Sequence, residues 1–272
     1  MTTSASAAVL ADAAFGEDPG RWPLPVAATP DELWLRAVAL GGQGRYAGAR
    51  ADLERLCRTR TAGPLTSLAH STYASFLRQL GWHADARGWD GRALALAGSD
   101  AEAAADALIG LAADALGVGR FTAARRALDR AAERMPGAAA GRLAVRLAWV
   151  SAELAMARGE GAQAVRHAEE AVEAAAAFGS ARHAVKSDVV RAAALCSAGD
   201  LDGARLVADA ALAETGRLGM IPLRWALACL LADIGSATCS SDQVIVIRDE
   251  SADTVRSRGG VWPVRVDKGT SS

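Results

Sequence analysis

Lysine is nearly missing from this chain: 2 of its 272 residues are Lys and 28 are Arg. The 30 basic residues are matched by 31 Asp and Glu, for a formal net charge of −1 at pH 7. A chain so close to neutral lacks the overall basic charge that attracts nucleic acid or an anionic membrane surface. We therefore expect neither as a partner. Aromatic residues are also few, at 5% of the chain, but 7 of them are Trp.

Long apolar runs are absent as well. The longest apolar segment, Leu223–Ile234, is broken by Arg224 and Asp233, so we expect no membrane span. Residues 1–20 have neither a basic start nor an apolar run, so no secretory signal is predicted. The four cysteines have no CxxC spacing, which favours reduced thiols in a cytoplasmic protein; they are Cys57, Cys196, Cys229 and Cys239.

No motif for catalysis or for a cofactor is recognisable. The chain has no GxxxxGK[ST], GxSxG or HExxH, which are the patterns of phosphate loops, nucleophile elbows and zinc helices. GxGxxA occurs at 42–47 and 159–164, but both copies follow predicted helices rather than strands, so a dinucleotide site is not expected. None of the four His has a second His or Cys three or four residues away. We predict no enzyme activity, no cofactor and no metal site.

What the chain has in abundance is alanine, its most frequent residue type, in a helical pattern that is interrupted by glycine at regular intervals. Five of these glycines recur at nearly equal spacing: Gly44, Gly81, Gly119, Gly159 and Gly199. Each has an alanine seven residues before it, namely Ala37, Ala74, Ala112, Ala152 and Ala192. Each also has one five residues after it, namely Ala49, Ala86, Ala124, Ala164 and Ala204. A small residue on each of two antiparallel helices lets their backbones cross closely, and Gly forms the turn between them.

These residues resemble the tetratricopeptide repeat (TPR) family and its bacterial helical-repeat relatives. Tyr46, Phe121 and Leu201 occupy the family's apolar position two residues after the turn glycine, and Pro136 its proline position. His83 and Gly161 depart from the apolar position. The period is also longer than that of the family, which is about 34 residues.

The resemblance implies an all-α fold, a right-handed α-solenoid of five to six antiparallel helix pairs. We divide the chain into an N-terminal arm (1–30, partly disordered), a repeat domain (31–260) and a C-terminal tail (261–272). A sixth pair is predicted from Ile221–Ile234 and about Gln243–Arg258, although the run Val244–Ile247 leaves a short strand as an alternative.

The first helix of each pair is expected to line a concave groove. Ten residues before each turn glycine stand Trp34, Ser71, Ile109, Trp149 and Val189, and by extension Trp225. Neighbouring positions add four charged residues, Arg78, Arg146, Glu153 and Lys186. A groove with an apolar surface and a few charged side chains is typical of a peptide-binding site. A register shift of one residue would instead place the Trp side chains in the core. Some members of the family bind the carboxyl terminus of a peptide through residues at fixed positions. The corresponding residues here do not match those residue types; they are Trp34, Val38, Thr72, Asp106 and Gly110.

Three functions therefore remain open. The favoured one is a non-enzymatic scaffold that binds a peptide or partner domain in the concave groove. The second is a regulatory sensor that binds a peptide or a transcription factor. The third is a self-associating structural subunit such as a homodimer, or a groove filled by the chain's own arm through Trp22–Pro25.

Overall fold

The computed structural model describes residues 5–59, 62–135 and 141–263. Within these ranges the chain forms α-helices and no strand. The helices are α1 (Ala5–Phe15), α2 (Pro30–Gly42), α3 (Tyr46–Thr59), α4 (Pro64–Gln79), α5 (His83–Leu96), α6 (Ala101–Gly117), α7 (Phe121–Arg134), α8 (Arg142–Ala157), α9 (Gly161–Phe178), α10 (Ala181–Ser197), α11 (Leu201–Arg217), α12 (Ile221–Ile234) and α13 (Ser241–Ser257). Pro136, which the sequence assigned to the repeat, lies outside the described residues.

The structure has a helix on each side of every predicted turn, and it buries all of the predicted small residues. All five turn glycines separate two helices and have φ between 73° and 89°, a left-handed conformation that costs glycine no Cβ clash. The ten predicted small residues are all 0% exposed: Ala37, Ala49, Ala74, Ala86, Ala112, Ala124, Ala152, Ala164, Ala192 and Ala204. Ala112 of α6 and Ala124 of α7, for example, belong to one buried apolar cluster. Close crossing therefore depends on side chains no larger than a methyl group.

The pairs form two layers. We call α2, α4, α6, α8, α10 and α12 the inner helices, since each contacts the next in that series. The outer helices are α3, α5, α7, α9, α11 and α13, and each packs against its own inner helix. Apolar clusters fill the space between the layers, with Leu108 and Leu154 buried in one of them.

The end of the last helix pair contacts the first helix pair. The Ala47 amide donates to the carbonyl of Arg258 at 3.0 Å, and the Arg258 guanidinium donates to the carbonyl of Gln43 at 2.8 Å. Val255 is buried in the same cluster as Tyr46. We call this set of interactions the closing contact. Because it joins the ends of the series, the inner helices surround a central space instead of lining an open groove.

The N-terminal segment, which we expected to be a partly disordered arm, packs against the rest of the fold over the described residues 5–30. Leu10 of α1 is 0% exposed, and α1 packs along α2. The segment after α1 is held by Gln43, which donates to the carbonyls of Pro19 and Arg21. An apolar face on α1 and these hydrogen bonds fix the segment.

The sixth pair has the predicted helix boundaries at α12, and its second member, α13, is a helix and not a strand. Ser240 caps α13 by accepting from the Gln243 amide, and the Gln243 side chain accepts from the Ser240 amide. This capping box fixes where the helix begins. The assigned C-terminal tail is packed where it is described: the rings of Trp262 and Trp225 have centroids 4.4 Å apart. Residues 264–272 lie outside the described part.

Candidate functional site

One cavity lies in the space that the inner helices surround. All six inner helices contribute to its lining, and Phe15 at the end of α1 adds an aromatic side chain. Its volume is about 290 Å³, near the lower end of the range for ligand pockets. A site of this size accommodates a small molecule or a short piece of peptide.

Three tryptophans line the cavity: Trp34, Trp149 and Trp225. Each is part buried, and two have their indole N–H fixed by a hydroxyl group. Trp34 donates to Thr72 at 3.0 Å and Trp149 donates to Ser187 at 2.8 Å. These hydrogen bonds hold the rings of Trp34 and Trp149 in place, and all three tryptophans lie on the cavity side of the inner helices.

The aromatic lining extends beyond the tryptophans. The ring of His183 stacks on Trp149 with centroids 5.3 Å apart and planes 17° from parallel. Phe15 lies 5.5 Å from Trp34 and 6.1 Å from His183. The first helix and the inner helices thus share one aromatic wall.

Charged side chains from α6, α8 and α10 share the cavity with these rings. Asp106 accepts from Arg142 at 2.9 Å and also pairs with Arg146. Lys186 pairs with Glu153 at 3.3 Å. Arg182 lines the same cavity, but it makes no hydrogen bond or ion pair with any described residue, and its Nε is buried without a partner. The cavity therefore has more positive than negative charge.

Burial and mutual repulsion shift the pKa values of these groups. Burial, together with Arg142, lowers the pKa of Arg182 to about 10, and burial with Arg78 and Arg182 lowers that of Arg146 to about 10. Both remain charged at neutral pH. Burial and the nearby guanidinium groups of Arg182, Arg142 and Arg146 lower the pKa of His183 to about 2. The stacked imidazole is consequently neutral.

This depressed pKa predicts how stability depends on pH. Since unfolded histidine titrates near 6.5, the unfolded chain takes up a proton at His183 below that pH while the folded chain does not. The contribution of His183 to the free energy of unfolding is therefore complete above pH 6.5 and is lost as the pH falls. Between pH 7.5 and 5.5, we expect the free energy of unfolding of the wild type to fall by about 1.4 kcal/mol more than that of His183→Phe, a variant that keeps an aromatic ring at this position.

Urea denaturation of both chains at the two pH values measures this difference, and other titrating groups cancel because both chains contain them. An equal change of stability in wild type and His183→Phe would show that the imidazole is protonated in the folded protein.

The structure does not bring all of the predicted groove residues to the cavity. Trp34, Arg146, Trp149, Lys186 and Trp225 line it.

The other four predicted groove residues lie elsewhere. Ile109 is 0% exposed in the core between α6 and its neighbours, and Val189 packs against the cluster around α11 and α12. Arg78 is buried between Asp90 and Asp114, and Glu153 reaches the site only through Lys186. The same repeat position therefore faces the cavity at Trp149 and the core at Ile109.

Several cavity residues were not predicted as site residues, among them Phe15, Arg142, Arg182 and His183. Part of the signal was present in the repeat. Two equivalent positions near the start of the inner helix carry Glu102 and Asp106 in the third pair, Arg142 and Arg146 in the fourth, and Arg182 and Lys186 in the fifth. We call these the charged positions. Residues four apart share one helix face, so each helix presents a matched pair of charges.

Comparison with known proteins does not assign this chain to a family. No protein-family model matches the sequence, and no curated protein is significantly similar to it. In the described part of the chain, no helix combines the length and the apolar character needed to cross a bilayer.

Proposed function

We propose that this protein is a TPR-like helical solenoid that acts as a non-enzymatic recognition module and binds a peptide segment of a protein partner in the central cavity. The observation that carries the proposal is the convergence of three tryptophans and four cationic side chains on one cavity. Aromatic rings and arginines supply most of the binding energy in protein interfaces.

The repeat supports the solenoid part of the proposal. Each unit contacts its neighbours through an inner helix, and three of the equivalent positions, those of Trp34, Trp149 and Trp225, line the same cavity. The hydrogen-bonded indoles of Trp34 and Trp149 are ordered before a ligand arrives. Binding then costs little side-chain entropy, which favours affinity.

A display selection tests this proposal even though the partner is unidentified. A random peptide library is selected on the wild-type protein, and each enriched peptide is then measured on Trp149→Ala. We expect affinity to fall at least about tenfold, because an aromatic anchor in an interface contributes at least about 1.4 kcal/mol. Circular dichroism checks that the variant is folded.

Trp89→Ala is the matched control for this selection. Trp89 lies on the outer helix α5, where it stacks on Tyr73 with centroids 4.1 Å apart, and it does not line the cavity. Peptides that bind in the cavity should keep their affinity for this variant. A library that yields no binding peptide, or peptides that bind Trp149→Ala as tightly as wild type, would refute the proposal.

The closing contact favours a regulatory sensor as the second candidate. A ligand that spreads the inner helices would have to separate the Ala47 amide from the Arg258 carbonyl, which are now 3.0 Å apart. Ligand-dependent amide exchange at Ala47 distinguishes this candidate from a rigid scaffold, in which protection there would not decrease.

A further inference from the structure

The charged positions are balanced in the third and fourth helix pairs and unbalanced in the fifth. Glu102 and Asp106 of the third pair face Arg142 and Arg146 of the fourth, with contacts of 3.3 Å and 2.9 Å to Arg142. In the sixth pair the equivalent positions are Leu218 and Pro222, which offer no carboxylate. The cations of the fifth pair therefore have no carboxylate at the charged positions of the sixth pair.

Of the two cations in the fifth pair, Arg182 is the one without an acidic partner among the described residues. Lys186 finds Glu153 on the preceding inner helix, whereas Arg182 makes no ion pair with a described residue and its Nε is buried without a partner. A buried charge without a counter-ion destabilises a fold. An arrangement of this kind is explained if the missing anion comes with a ligand.

The surroundings of Arg182 leave room for such a ligand and give it an aromatic wall. Arg182 lines the cavity and packs against Gly42 of α2, where a Cβ would lie 3.0 Å from the Arg182 Cδ and would require the arginine to shift by a few tenths of an ångström. The ring of Phe15 lies 6.0 Å from the guanidinium carbon, and the stacked pair of His183 and Trp149 lines the same cavity. The cation is thus bordered by rings and not by anions of the described residues.

We propose that the peptide bound in the central cavity presents a carboxylate to Arg182 next to an aromatic side chain that packs against Trp149. The planar guanidinium matches a carboxylate through two parallel hydrogen bonds. The inference rests on the proposed function and names its ligand chemistry. The carboxylate has two potential sources, an Asp or Glu side chain and a free carboxyl terminus.

Matched pairs of small probes test the inference and separate these sources. Acetyl-Glu-Phe-amide and acetyl-Gln-Phe-amide differ only in a side-chain carboxylate, while N-acetylphenylalanine and its amide differ only in a terminal one. Binding is followed by the tryptophan fluorescence of the protein, to which the phenylalanine probes contribute nothing at long excitation wavelengths. In at least one pair we expect the acid to bind about tenfold or more tightly than its neutral counterpart, as a charge-assisted hydrogen bond implies.

Variants assign that preference to Arg182. Arg182→Gln should reduce the ratio between acid and neutral probe to about one, and Arg182→Lys should restore part of it. The urea midpoint of Arg182→Gln should equal or exceed that of wild type, because the substitution removes a charge without a partner. Arg217→Gln is the control: it lies on the outer helix α11 and pairs with Glu214 at 2.6 Å, so its ratio should match the wild type.

The outcomes separate this inference from the proposed function. Acid and neutral probes that bind wild type equally, and both lose affinity for Trp149→Ala, would overturn the carboxylate inference and leave the cavity as a binding site. An acid preference that survives in Arg182→Gln would also overturn it. Binding of no probe at all would overturn it too, and the display selection would then decide the proposed function by itself.

Discussion

Replacing Arg78 by methionine is expected to destabilise the protein by about 3–5 kcal/mol, the usual cost of removing one partner from a buried ion pair. The Arg78 side chain is 10% exposed and contacts Asp90 and Asp114, both of them 0% exposed. Asp90 also accepts from the hydroxyl of Ser71 at 2.7 Å. Methionine preserves the length of the side chain but leaves two buried carboxylates without a cation.

The pH dependence of this variant provides a second test. In the wild type, burial and the neighbouring Asp90 already raise the pKa of Asp114 to about 7, against the attraction of Arg78. Loss of the arginine raises it further, so the folded variant binds protons that the unfolded chain does not bind until much lower pH. Its stability should therefore recover as pH falls from 7 to 5.

Urea denaturation followed by circular dichroism measures both effects. Arg217→Met is the control, because Arg217 forms an exposed pair with Glu214 and such pairs contribute little. We expect its midpoint to stay close to the wild type. If Arg78 faced a partner groove, as the sequence suggested, Arg78→Met would leave the midpoint unchanged as well.

Removal of residues 1–28 is expected to lower stability by more than any single substitution within that segment. The truncation removes α1, whose Leu10 is buried in the core with Leu33 and Tyr46, and it uncovers Val38 and Ala39 on α2. The hydrogen bond between the Ala181 amide and the carbonyl of Gly16 is lost too.

Two point variants in the same segment calibrate the truncation. Leu10→Ala should cost about 2–5 kcal/mol, since it leaves a cavity in a closed core. Val26→Ala, at a side chain that is 78% exposed, should stay within about 0.5 kcal/mol of wild type. All three are compared by urea denaturation, and a truncated chain with a wild-type midpoint would mean that the segment is only loosely attached.

The parts of the fold that were predictable depend on residues close together in sequence. The glycine turns and the small residues around them concern neighbours within about a dozen positions, and local geometry decides them. The helix over α13 was likewise predictable, because Ser240 and Gln243 form its capping box. The repeat also placed three tryptophans at equivalent positions, but it left open whether they face a groove or the core.

Other features of the sequence could be explained only once the residues that they contact in the fold were known. Gly110 in the middle of α6 looks like a defect in a helix. In the structure a Cβ at this position would lie 2.3 Å from a carboxylate oxygen of Asp90, so the glycine makes room for the buried ion cluster. Nothing in the spacing along the chain identifies Asp90 as its neighbour.

By itself, the sequence determined the helix pairs, their turns and the residues at which they cross, because these follow from helical periodicity and from the conformational freedom of glycine. Only the tertiary structure decided that the pairs close around a cavity, since the closing contact joins residues as far apart as Ala47 and Arg258. It also decided which charges are neutralised. The pairing of a buried arginine depends on what the neighbouring helices place opposite it, and among the described residues they place no carboxylate within ion-pair distance of Arg182.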